Sequence, residues 1–248
     1  MRLISILTGI IIVAGAVAAA IIIVANGNDD SEANNTTTTS NTTTQTTTAQ
    51  NTNTNQLTSS YTIDVWADNW FALYVNGQKV GEDSVSIRTE RSFNKETFSF
   101  DATLPMTVAI EAKDYIETDS GLEYIGANNQ QMGDGGIIAQ IKDASGNTVA
   151  STSGDWKAFV THFAPLDKSC ESSNNPETDC LFTITESPTN WTTVAFDDSG
   201  WDNASVYTEA QVSPKDGYNE VIWDSAAQFI WGQDLEQVNT VLLRTQVQ

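Results

Sequence analysis

Ala67-Asp68-Asn69-Trp70-Phe71-Ala72-Leu73-Tyr74-Val75-Asn76-Gly77 is the stretch that decides the fold. Phe71, Leu73 and Val75 recur at every second residue, which puts them on one face of an extended chain. Trp70, Ala72 and Tyr74 take the opposite face. Asn76-Gly77 follows at once, and this pair favours the left-handed turn that joins two antiparallel strands. The same period of two returns at Met106, Val108 and Ile110, and again at Val241, Leu243 and Val247. Turn signals punctuate the chain at Gly133-Asp134-Gly135-Gly136, Ser145-Gly146-Asn147 and Asp216-Gly217. No long helical periodicity follows residue 60. Short strands with polar turns predict an all-β fold, a sandwich or jelly roll. No sustained repeat divides it, so residues 61–248 read as one domain.

Upstream, the texture differs. Residues 3–25 are uncharged, with Ser5 and Thr8 the only polar side chains. As a helix they would span about 35 Å, enough for a hydrocarbon core of about 30 Å. Arg2 precedes the run, and Asp29, Asp30 and Glu32 follow it. The positive-inside rule then places the N-terminus in the cytoplasm and the rest outside. Ala16-Val17-Ala18 and Ala18-Ala19-Ala20 also fit a signal-peptidase site. The apolar run continues past both, through Ile21, Ile22, Ile23 and Val24, which favours an uncleaved transmembrane anchor over residues 1–25. Residues 26–60 form a linker. Between 34 and 56 it holds 12 Thr and 6 Asn, which cannot offset the entropy of ordering, so a disordered stalk is predicted. Its end-to-end distance is about 25–30 Å. Asn34, Asn35, Asn41, Asn190 and Asn203 begin N-x-Ser/Thr sequons. These features predict a single-pass protein displaying its C-terminal domain at the cell surface.

The net charge is −21, from 11 basic and 32 acidic residues. No basic stripe is available to displace counterions from nucleic acid, which excludes that partner. Excess charge acts first on solubility, and its sharper reading is divalent cation binding. Cys170 and Cys180 are the only cysteines. In an exported chain they are expected to pair as a disulfide that pins a long loop between Asp167 and Pro188. Two thiols with His162, the only histidine, make a poor zinc site.

Catalytic signatures are missing. His162 lies in Phe159-Val160-Thr161-His162-Phe163, which reads as a strand, and there is no G-x-S-x-G elbow. No P-loop or dinucleotide fingerprint is present. The sequence therefore points away from an enzyme. A hydrolase acting on extracellular glycans would need two facing carboxylates in a cleft, which sequence alone cannot place. Calcium suits the chain better as a cofactor, because it takes oxygen ligands from loops. Asp197, Asp198 and Asp202, with Ser199 and Asn203, form one candidate cluster; Asp64, Asp68 and Asn69 form another. The competing reading of the first is an Asx-type turn that leads Trp201 into the core. Seven tryptophans are present. Trp66, Trp70, Trp191 and Trp223 lie beside polar residues and could stack on sugars. Trp70 falls on the face opposite Phe71, Leu73 and Val75.

Four stretches together resemble galactose-binding-like β-sandwich modules. Residues 67–77 resemble their strand and turn of the form ADN-x-aromatic-x-LYVNG. Ile137-Ile138-Ala139-Gln140-Ile141, with Trp156-Lys157 after it, resembles a second segment. Phe196-Asp197-Asp198-Ser199-Gly200-Trp201 is similar to their FDDS-x-W signature. Phe229-Ile230-Trp231 with residues 239–244 resembles the closing strand. The resemblance covers most of residues 61–248 and implies a jelly-roll sandwich of the kind used in carbohydrate binding, adhesion or purely structural roles. The Cys170–Cys180 insertion and Val221-Ile222-Trp223-Asp224 depart from the pattern. The expected function is a membrane-anchored, non-catalytic module that binds an extracellular glycan or surface protein, with Asp68, Asn69, Trp70 and Trp191 as candidate ligand residues. The alternative is a structural subunit of a surface layer, fibre or pilus-like filament that assembles with other copies.

Overall fold

A computed structural model describes residues 57–89, 91 and 93–248. The expected anchor at residues 1–25 and nearly all of the linker at residues 26–60 lie outside the described residues. Among those described, no helix is long and apolar enough to cross a membrane.

The described residues form fifteen strands. The first seven are β1 (Ser59–Asp68), β2 (Trp70–Val75), β3 (Gln78–Glu82), β4 (Lys95–Ala102), β5 (Met106–Lys113), β6 (Leu122–Glu123) and β7 (Gln131–Met132). Then come β8 (Gly136–Asp143), β9 (Thr148–Ser151), β10 (Lys157–Phe163) and β11 (Thr183–Ile184). The last four are β12 (Asp202–Asn203), β13 (Ser205–Tyr207), β14 (Phe229–Trp231) and β15 (Val238–Val247). One sheet runs β13-β14-β8-β1-β4, with β9 beside β8. The other runs β11-β10-β15-β5-β2-β3, with β12 beside β10. Every pairing is antiparallel. The molecule is thus an all-β sandwich of antiparallel sheets.

Alternation in the sequence explains the layers. Phe71, Leu73 and Val75 of β2 face inward beside Val108, Ile110 and Ala112 of β5 and Val241 and Leu243 of β15. Ile63, Val65 and Ala67 of β1 and Ile137, Ala139 and Ile141 of β8 meet them from the other sheet. Asn76 and Gly77 take φ of 50° and 83°, the two left-handed residues that a two-residue hairpin needs. A side chain at Gly77 would be strained there.

The first sheet is buried on its second side too around the ends of β1, β8 and β14. Trp66, Ile138 and Phe229 point away from the main core into a second apolar cluster with Val212 and Phe93. The segment after β13 covers them: Tyr218 meets Trp66 edge-on and stacks on Trp223. Trp66 is therefore fully buried, with its indole N–H donating to the Asp216 carbonyl at 2.9 Å. That removes it from the candidate sugar-stacking rings. The departure at Val221-Ile222-Trp223-Asp224 finds its place here too. Gln140 receives the Asp224 amide at 2.7 Å and donates to the Ile222 carbonyl at 3.2 Å, so the segment is tied across the sheet.

Trp156 and Trp231 lie in the main core, and Trp201 is buried outside it. Cys170 and Cys180 form a disulfide. The segment they pin is more regular than a plain loop. It holds a 3-10 turn at Lys168–Ser172, capped by the Asp167 side chain, and one helical turn at Pro176–Asp179.

Candidate functional site

The outer face of the seven-stranded sheet divides into two halves. Residues 190–203 cover one half. Trp191 stands edge-on to Tyr74 of β2 and tilts against Trp201, and Trp201 stacks on Phe159 of β10. Arg244 of β15 fastens this layer. Its Nε donates to Asp198 Oδ2 at 2.8 Å, and its Nη1 donates to the Trp191 carbonyl and, at 3.2 Å, to that of Thr193. The guanidinium also lies over the Phe196 ring. Arg244 is 3% exposed, so one buried cation organises the whole covering segment.

The other half stays open as a groove of about 820 Å³. Glu111 and Lys113 of β5, Thr240 of β15 and Thr161 and His162 of β10 line its floor. The β10–β15 register slips between Val160 and His162, and the adjacent Thr161 and His162 both reach the groove. Arg88, Tyr115, Glu117, Asp119 and Ile184–Ser187 complete its lining. Lys113 pairs with Glu111 at 3.0 Å, and its ammonium lies 5.2 Å from the centre of the Trp70 ring. That cation–π contact holds half-buried Trp70 next to the floor. Asp119 contributes its carbonyl to His162 Nε2 at 3.2 Å. Burial lowers the His162 pKa, with the Asp119 carbonyl opposing, which favours the neutral imidazole.

A third feature borders the groove at Asp114. There Asp68, Asp114 and Glu123 are buried and Asp134 stands nearby. Burial pushes the Asp114 carboxyl well above the usual range, and the charges of Asp68, Glu123 and Asp134 raise it further. Asp68 is also raised by burial; Lys215 opposes this, while Asp134 and Glu123 add to it.

The residues singled out in the sequence are thus dispersed. Asp68 and Asn69 are each 2% exposed, so they face the interior and not a surface ligand. Asn69 accepts from the Tyr115 amide at 2.5 Å and shapes the loop that walls the groove. Trp70 adjoins the groove floor, whereas Trp191 belongs to the covering layer. Asp197 accepts from the Ser199 amide at 3.0 Å, the Asx-type turn. Asp198 is engaged by Arg244, and Asp202 is exposed on β12. The three are not gathered around one point, and among the described residues no group of three or more His, Cys, Asp or Glu stands ready to hold a metal ion. Sequence reading missed the groove itself, because it joins residues from five distant segments. A bulge and a covering loop create it, and neither leaves a local signal.

No protein-family model, curated protein or solved structure matches the chain.

Proposed function

We propose that this domain is a galactose-binding-like jelly-roll module, displayed outside the cell on its anchor and stalk, that binds a glycan in the open groove without catalysing a reaction. The groove carries the reading. Sheet residues held by their ladders offer it hydroxyls, a carboxylate, an ammonium and an imidazole. Saccharides need such fixed donors and acceptors, with an aromatic ring alongside; Tyr115 and Trp70 supply rings. Two of the groove carboxylates are already engaged: Glu111 pairs with Lys113, and Glu117 accepts from the Ile125 amide at 3.0 Å.

A glycan panel probed with the full chain in detergent tests this. Saccharide binding is expected, and Thr240→Arg, which fills the floor from a strand centre, is expected to weaken it at least about tenfold, or about 1.4 kcal/mol. A panel with no bound saccharide, or binding indifferent to Thr240→Arg, overturns the reading.

One observation favours the second reading, self-assembly in a surface coat. Leu166, Leu181, Phe182 and Ile184 are exposed on and beside β11, an edge strand of the seven-stranded sheet. Apolar edges invite pairing. If this edge joins copies, Ile184→Lys lowers the association state in sedimentation; an unchanged state removes the reading.

A further inference from the structure

Where β5 and β15 run out, the interior changes character. Lys113 pairs with Thr240, so Asp114 stands opposite Asn239, and the Asp114 amide donates to the Asn239 carbonyl at 3.0 Å. Both residues continue the inward parity of Ala112 and Val241. Asp114 is 3% exposed and Asn239 fully buried. Asp68 closes β1 at the same end, because the Asn69 amide bonds the Lys113 carbonyl at 2.9 Å.

Three oxygens in this region accept no hydrogen bond: Asp68 Oδ2, Asp114 Oδ2 and Asn239 Oδ1. Among the described residues the only other buried side-chain atom in that condition is Asp83 Oδ2. Buried polar atoms are almost always satisfied, and a cluster that is not asks for a missing partner. A Cβ at Gly133 would lie 2.2 Å from Asp114 Oδ2, so the bare glycine backbone forms the wall there. Glu123 and Asp134 add negative charge. The nearby ammonium of Lys215 is 3.7 Å from Asp68 and 3.8 Å from Asp134, longer than a hydrogen bond, and it leans on the Phe93 ring.

We propose that this end of the sandwich binds a divalent cation of the calcium class, with Asp68, Asp114 and the Asn239 amide oxygen among its ligands. The donor set is all oxygen and mixes carboxylates with an amide, which suits a hard cation that accepts irregular geometry; magnesium demands a tighter octahedron. Two carboxylates and an amide, completed by main-chain carbonyls or water, make a site that needs no third acidic ligand. The cation would give Asp114 Oδ2 and Asn239 Oδ1 the partner they lack, would join the Lys215 ammonium at Asp68 Oδ2, and would turn the mutual repulsion of the carboxylates into attraction. The inference does not rest on the glycan reading, since the site lies inside the fold.

The test uses the full chain in detergent, stripped with chelator and titrated with calcium or magnesium at neutral pH. Cation binding to the native state raises Tm by mass action, by about 5 °C or more near a hundredfold excess over Kd. The calcium midpoint is expected at least about tenfold below that of magnesium. Terbium offers a second readout. Trp231 lies against Gly135, beside Asp134, and is placed to sensitise its luminescence. Asp114→Asn keeps the shape and is expected to abolish both signals while still melting cooperatively; Asp68→Asn serves the same purpose should Asp114→Asn fail to fold. No saturable response in the unaltered chain overturns the proposal. So does an equal response in a folded Asp114→Asn or Asp68→Asn protein. Stabilisation by acid alone, with no effect of calcium, also overturns it and assigns protons to the lone oxygens.

Discussion

Two acidic groupings in this fold differ in how their charge is answered. Around Asp197 and Asp198, each carboxylate already has a partner: a backbone amide for one and the Arg244 guanidinium for the other. Around Asp68 and Asp114, the carboxylates are buried, one oxygen of each accepts no hydrogen bond, and Lys215 answers Asp68 only through a long ion pair of 3.7 Å. The first region is a finished structural device, in which the chain supplies its own cation. The second is electrostatically incomplete. Acidity in a sequence therefore says little until the cation that answers it is found.

Removing the internal cation tests the contrast most severely. Arg244→Met leaves Asp198 and the carbonyls of Trp191, Thr193 and Phe196 without their donor, and breaking such a buried pair typically destabilises by about 3–5 kcal/mol. Denaturant unfolding should show that loss; a change under about 1 kcal/mol would mean that the covering layer is held by its aromatics alone. Asp198→Asn should cost less, about 1–2 kcal/mol, because its carboxylate is 30% exposed and the carbonyl bonds of Arg244 survive. In the second region the sign reverses. Asp114→Asn removes a charge that burial disfavours, and it should stabilise the metal-free protein above neutral pH by about 1–3 kcal/mol.

The pH dependence sharpens this further. Asp68 and Asp114 have pKa values raised above those of the unfolded chain, so the native state holds their protons more tightly. Their favourable contribution is complete below the ordinary carboxylate range and is lost as pH rises through the raised values. Metal-free protein should melt higher in mild acid than in alkali. Asp83 adds a smaller step. Burial raises it to about 6 against its Val85 and Asn94 hydrogen bonds, so Asp83→Asn should flatten the fall in Tm between about pH 4 and 6. An unaltered profile would show that this carboxyl does not titrate in that window.

The sandwich was legible because its strands alternate and its turns carry the residues that left-handed backbone requires; Phe71 to Gly77 is enough to see both. Trp66 was not, since it stands on the outward parity of β1 and is buried because residues 208–228 and Phe93 fold over that sheet. Arg244 sits in an apolar closing strand, and nothing local distinguishes a buried guanidinium from a surface one. Trp70 could be placed on the outer face from parity alone, yet the groove beside it depends on a register slip in β10. Asp114 and Asn239 lie far apart in sequence, and only the pairing of β5 with β15 makes them neighbours.

The placement of β1 has a mechanical consequence. It is the first strand of the domain, and it lies inside its sheet, paired along its length with β4 on one side and β8 on the other. A pull transmitted through the chain that enters at residue 58 would load both ladders lengthwise, in shear, so that many hydrogen bonds must yield together. Resistance to such a pull is set by the unfolding rate, and a strand clamped on two sides is poorly suited to peeling away one bond at a time.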